Sequence, residues 1–161
     1  MKIAIGSDHR GFQTKEKIKA MLTSKGYEVM DFGPDCAASC DYPDAAYPTC
    51  KSVVSGVSEL GILLCGSGIG MSISANKVRG IRAALCHDEL TAEMSRRHND
   101  ANVLCLPADL IGEELTRRIV EVWLKTGFEG GRHERRVKKI ALYEEKELQC
   151  GHERPDTDAK G

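Results

Sequence analysis

The sequence predicts an α/β fold, with a parallel sheet held between two layers of helices. Three observations predict it. Short apolar runs alternate with longer amphipathic stretches along the chain, which is the pattern of repeated strand–helix units. The most apolar run, Leu60-Gly61-Ile62-Leu63-Leu64-Cys65, lacks polar alternation, as a strand buried on both faces of a parallel sheet does. Polar, glycine-containing clusters follow the strand ends, where open parallel sheets bind their ligands.

The elements follow in order. Ile3 to Ile5 is a first strand, ended by Gly6-Ser7-Asp8. A helix is expected from Phe12 to Lys25, with Ile18, Met21 and Leu22 facing inward and Gly26 as its stop. Tyr27 to Phe32 is a second strand, closed by Gly33-Pro34, and residues 34–43 read as a polar loop before a helix over Ala45–Gly56. Leu60 to Cys65 is the third strand. The turn Gly66–Gly70 opens a helix expected to reach Lys77. Ile81–Cys86 is a fourth strand, Asp88–Arg97 a helix, and Asn102–Leu106 a fifth strand stopped by Pro107. Ile111, Leu115, Ile119, Val122 and Trp123 form one helical stripe, and a last helix is expected over His133–Leu148. The order implies a Rossmann-like three-layer α/β/α domain with a five-stranded parallel sheet, right-handed crossovers and an extra C-terminal helix.

The chain has 161 residues, enough for one domain with its own core. That domain is expected over residues 1–150, and the polar stretch 151–161 is expected to be a disordered tail. The net charge of −1 offers no global basic field, so neither nucleic acid nor an anionic membrane is an expected partner. No segment has the length of a membrane span, and Met1–Ile5 reads as a strand rather than a signal peptide. Seven cysteines make an odd count with no C-x-x-C pair, which fits a reducing cytoplasm and no zinc centre.

Three strand-end clusters and one helix-end segment carry the candidate chemistry: Gly6-Ser7-Asp8-His9-Arg10-Gly11, Asp41-Tyr42-Pro43-Asp44, Cys65-Gly66-Ser67-Gly68-Ile69-Gly70-Met71-Ser72, and His98-Asn99-Asp100-Ala101-Asn102. Strand-end loops converging on one rim are the mark of a site. Cys65 reads in two ways. It is an inert buried thiol at a strand end, or a base or nucleophile whose proton is loosened by the N–H groups of the glycine turn. The same N–H groups could hold an oxyanion. Gly66-x-Gly68-x-Gly70 is not the dinucleotide fingerprint, and no Walker lysine follows it. His98 is either a surface residue or an acid–base group. Arg132 and Arg136 are spaced i, i+4 on one helix face, and two guanidinium forks there suit a phosphate.

These segments, together with Ala75-Asn76-Lys77, Gly80-Ile81-Arg82-Ala83 and Gly130-Gly131-Arg132-His133, resemble the ribose-5-phosphate isomerase B family in order and spacing, from Met1 to about Tyr143. Galactose-6-phosphate isomerase subunits share that fold but usually lack the His-Asn-Asp segment. The resemblance implies a cofactor-free aldose–ketose isomerase, interconverting ribose 5-phosphate and ribulose 5-phosphate as a homodimer or tetramer. Cys65 would move a proton between C1 and C2 through an enediolate, Ser67, Gly66 and Gly70 would stabilise that anion, and His98 would open the sugar ring. Asp41 would lie beside the base. Asp8, Tyr42 and Asn99 would hold sugar oxygens, with Gly68 and Ser72 in the same binding loop. His9, Arg132 and Arg136 would contact phosphate, the two arginines from across a dimer interface. No metal is implied.

Two positions depart from the family pattern. Ser67 replaces a frequent threonine and keeps the hydroxyl. Asp109 stands where relatives carry a phosphate-contacting arginine. It also directly precedes a helix expected to start near Leu110, where it reads as an N-cap. Other readings are an isomerase of a tetrose or hexose phosphate, and a non-catalytic sugar-phosphate-binding module. The latter needs neither Cys65 nor His98.

Overall fold

The computed structural model describes residues 1–151; the tail expected over 151–161 lies, from residue 152 onward, outside the described residues. Five parallel strands, β1 (Lys2–Ser7), β2 (Glu28–Asp31), β3 (Leu60–Cys65), β4 (Ala83–Leu85) and β5 (Val103–Pro107), form one sheet in the order β2-β1-β3-β5-β4. Six helices accompany them: α1 (Phe12–Ser24), α2 (Tyr42–Val54), α3 (Ile69–Ala75), α4 (Glu89–Asn99), α5 (Glu113–Lys125) and α6 (Arg132–Gly151). The predicted α/β/α architecture with an added C-terminal helix is what the chain adopts.

Strand alternation sorts the core into two layers. Ile62 and Leu64 join Ile3, Ile5, Leu104 and Leu106 against Ile18 and Leu22 of α1 and Ile119 and Trp123 of α5. Leu63 and Cys65 face the other way, toward Ala46 and Cys50 of α2 and Met71 of α3. This alternation is why Cys65 meets the elements that carry Tyr42 and the glycine turn. The chain departs from β1 to β2 on one side and returns to β3 on the other. The carboxyl ends of β1 and β3 therefore flank the switch point of the sheet, where such folds place ligands.

Of the element boundaries that differ from the sequence expectation, four have a clear local cause. α2 begins at Tyr42 rather than Ala45 because Pro43 sits in its first turn, where a missing N–H costs nothing. α4 runs on to Asn99, closed by Asp100 in the left-handed region at φ 47°; His98 and Asn99 are thus in its last turn. β4 keeps only Ala83–Leu85, because the Asn102 side chain accepts from Arg82 N–H at 2.8 Å and donates to the Gly80 carbonyl at 2.8 Å in place of strand pairing. α5 starts at Glu113 with Gly112 as its N-cap. Asp109 is therefore not the helix cap that its position before Leu110 suggested.

Candidate active site

At the carboxyl end of β3 the Cys65 side chain is buried, 4% exposed. Its Sγ accepts the Gly68 backbone N–H at 3.1 Å. Gly68 can present that N–H because it adopts φ 74°, a conformation side-chain-bearing residues rarely take. A Cβ there would also fall 2.4 Å from Leu85 Cδ1. Burial alone pushes the Cys50 thiol up to about 12, and burial pushes Cys86 and Cys105 up. They are packing residues.

Cys65 opens onto a cavity of about 460 Å³ lined by Asp8, Arg10, Tyr42, Gly66, Ser67, Gly70, Asp109 and Leu110. Asp8 Oδ1 accepts the N–H groups of Arg10 and Gly11, each at 2.9 Å, which fixes the loop after β1. The Tyr42 ring lies flush on Gly70, where a Cβ would stand 2.9 Å from Cζ. Ser67 Oγ accepts the Ile69 N–H at 3.3 Å. His9 keeps Nδ1 on the backbone of Cys40, 3.2 Å from its carbonyl and 3.3 Å from its N–H, which leaves Nε2 available. Asp41 is exposed ahead of α2 and is not among the lining residues. Ser72 lies one turn into α3 and is likewise outside the lining. Arg10, given no role of its own within its cluster, and Leu110 also line the cavity, as does Asp109, which the sequence placed where relatives carry a phosphate-contacting arginine. Their signal in the sequence was their position just after β1 and β5, on the same rim.

The remaining predicted residues gather elsewhere. α4 runs antiparallel to the strands, so His98 and Asn99 lie at the amino-end rim of the sheet; there Arg82 Nε donates to the Asn99 carbonyl at 3.1 Å and the Asp100 carbonyl at 2.8 Å. Arg132 and Arg136 begin α6 beside them. Gly61 pairs with Val103 and Cys65 with Pro107, so four residues of strand, about 13 Å, already separate the two rims. One chain places Cys65 and His98 at opposite ends of its sheet.

The His98 ring stacks on His133 with centroids 4.1 Å apart and planes within 2°. Glu129 Oε2 lies 3.7 Å from the Nε2 of each. These three ligand-type groups lie within 4.8 Å of one another. However, Arg97 binds Glu129 through Nε at 2.7 Å, Arg132 Nε approaches His133 Nε2 at 3.3 Å, and parallel stacked rings cannot both aim in plane at one ion. Burial lowers the His133 pKa, and the positive neighbours His98, Arg132 and Arg136 lower it further against the opposing pull of Glu129.

The linkage sign follows. Unfolded His133 takes a proton near the ordinary value of about 6.5, and folded His133 only at a lower pH. Its contribution to stability is present above about pH 6.5 and is lost as the pH falls through that value toward the folded one. Urea denaturation at pH 7.5 and pH 5.5 is expected to show a smaller acid loss in His133→Asn than in the wild type. An equal loss in both would place the acid sensitivity elsewhere.

Comparison with known proteins identifies the family. A family model described as Ribose/Galactose Isomerase matches residues 3–140. The chain is 45% identical to ribose-5-phosphate isomerase B of Escherichia coli, over 90% of this chain and 97% of that protein. It is also 45% identical to D-erythrulose-4-phosphate isomerase of Pectobacterium atrosepticum, over 91% and 97%. Among solved structures, ribose-5-phosphate isomerase B of Clostridium thermocellum superposes with a TM-score of 0.90 at 51% identity, covering 91% of this chain and 99% of that one.

Proposed function

The chain belongs to the ribose/galactose isomerase family and is a sugar-phosphate isomerase, and from that premise we propose that it interconverts ribose 5-phosphate and ribulose 5-phosphate. The observation that carries the reading is the Gly68 N–H on Cys65 Sγ, in a cavity shared with Asp8, Tyr42 and Ser67. Cys65 takes the C2 proton of the open-chain aldose. Charge develops on O1 of the enediolate, next to the N–H groups of the turn and the Ser67 hydroxyl. The O2 hydroxyl proton passes to O1, and Cys65 returns its proton to C1 as the C2 carbonyl of the ketose forms, with no net redox change and no need of a cofactor.

Ring opening requires an acid near the ring oxygen, and His98 stands on the wrong rim to serve Cys65 of its own chain. The active form is therefore a C₂ homodimer, in which His98, Asn99, Arg132 and Arg136 of one copy complete the cavity of the other. Exposed apolar side chains on α3 (Ile69, Ile73) and α6 (Ile140, Leu142, Tyr143) supply surface for such an interface. Asp8 and Tyr42 hold sugar hydroxyls, and His9 Nε2 with the partner arginines binds phosphate.

A panel of aldose phosphates tests the reading. Chelator-treated protein is expected to isomerise ribose 5-phosphate. If D-erythrulose 4-phosphate, the substrate in the name of one relative, is turned over far better, the same chemistry serves a shorter sugar. Absence of isomerisation on every aldose phosphate would refute the reading.

A further inference from the structure

Among the described residues lining the Cys65 cavity, Arg10 is the one cation. Its Nε donates to Asp109 Oδ2 at 2.6 Å. The pair lies directly over Gly66, where a Cβ would fall 2.5 Å from Asp109 Oδ2 and 2.8 Å from Arg10 Nε. Both ends of the pair are set by backbone. Asp8 Oδ1 takes the Arg10 N–H, and Gly11 is pressed against the Leu64 carbonyl, 2.8 Å from the place of a Cβ. On the other side the Ala108 N–H donates to the Cys65 carbonyl at 2.8 Å and the Asp109 N–H to the Gly66 carbonyl at 3.0 Å.

An ion pair whose side chains are 59% and 36% exposed contributes little to stability, so a loop staple is a poor account of it. The Nε–Oδ2 bond uses one of the five N–H donors of a guanidinium, leaving the terminal nitrogens for a ligand. A planar fork with free donors at the mouth of a cavity that holds a base matches a phosphate oxygen edge. We propose that Arg10 is a phosphate ligand for the substrate, supplied by the same chain as Cys65, and that Asp109 is the positioning residue that holds its guanidinium over Gly66. The inference rests on the sugar-phosphate reading above and adds to it a specificity residue from the loop after β1. Phosphorylated sugars are then selected on both sides of the cavity, by Arg10 within the chain and by the arginines of the second copy.

The test uses full-length wild type, Arg10→Ala, Arg10→Asp, Asp109→Asn and the exchange Arg10→Asp/Asp109→Arg. Two quantities are read: KM for ribose 5-phosphate, and the affinity for inorganic phosphate by calorimetry. Arg10→Ala is expected to raise KM and weaken phosphate binding by about 10- to 100-fold, the loss of a charge-assisted hydrogen bond. Activity on unphosphorylated ribose should fall much less. Asp109→Asn, which keeps an acceptor for Nε, should weaken phosphate less than Arg10→Ala does. The exchange should recover at least tenfold of what Arg10→Asp loses, since a guanidinium again stands over Gly66. If Arg10→Ala changes the melting temperature but leaves KM and phosphate affinity within twofold, the pair is only a staple and the inference fails. If Asp109→Asn tightens phosphate binding, the carboxylate repels the ligand and its positioning role fails. If no aldose phosphate is isomerised, the activity reading fails, while the calorimetric arm still decides for or against Arg10.

Discussion

Cys65→Ala is expected to remove proton exchange at C2 and to lower kcat by about 10²- to 10⁴-fold, the range of a positioned acid–base group. The loss should fall on kcat, because in the proposed mechanism Asp8, Tyr42 and the cations around them, which the substitution leaves in place, hold the sugar hydroxyls and phosphate. Folding should be affected little: the change deletes one buried sulfur at the end of β3 and keeps Cβ. Cys65→Ser tests the chemistry more finely. It preserves an acceptor for the Gly68 N–H, yet a hydroxyl there is far too weakly acidic to serve as base. Solvent deuterium incorporation at C2, followed by proton NMR, is the measurement. Exchange within threefold of wild type in Cys65→Ala would assign the base to another group.

Complementation between two inactive variants is the second large effect. Cys65→Ala and His98→Asn should each be nearly inactive on the cyclic sugar. Unfolded together and refolded, half of the dimers are hybrids, and each hybrid holds one intact site and one doubly damaged site. Activity should return to roughly a quarter of wild type, as random pairing in a C₂ dimer gives. The reason is the separation of the two rims: Cys65 ends β3 while His98 closes α4 at the other end of the sheet. No recovery in hybrids verified by mass spectrometry would mean that both residues serve one chain's site. His98→Asn should also spare the open-chain ketose more than the cyclic aldose, since only the latter needs ring opening.

Sequence alone carried the strand order of the argument further than its geometry. The unbroken apolar run of β3 and the glycine turn after it were legible because burial on both faces and left-handed backbone each leave a residue-type signature. Asp8, Gly66 and Ser67 stood out in the loops just after β1 and β3, and Tyr42 in the loop before α2; all four line the Cys65 cavity. Of the two readings of Asp109, the cap fails, because a cap looks the same as any aspartate before an apolar stripe. What decides between them is where the first helical N–H groups lie, and α5 begins only at Glu113. Arg10 was given no role of its own within its cluster because its meaning depends on a partner 99 residues away. The stack of His133 on His98 is equally silent in the sequence, since β5 and α5 separate the end of α4 from the start of α6.

The loop after β1 separates the parts of a residue that are usually constrained together. Around position 10 the main chain is clamped by the Asp8 carboxylate and by the close approach of Gly11 to Leu64, while the side chain of Arg10 projects at 59% exposure and buries no core surface. A single-codon change there can alter the charge presented to a substrate without disturbing the sheet. Fold robustness and substrate choice are thus decoupled at this one residue. On the proposal for Arg10, the charge shown to a substrate's phosphate can change at position 10 and its partner at 109 while Cys65 and its turn stay as they are.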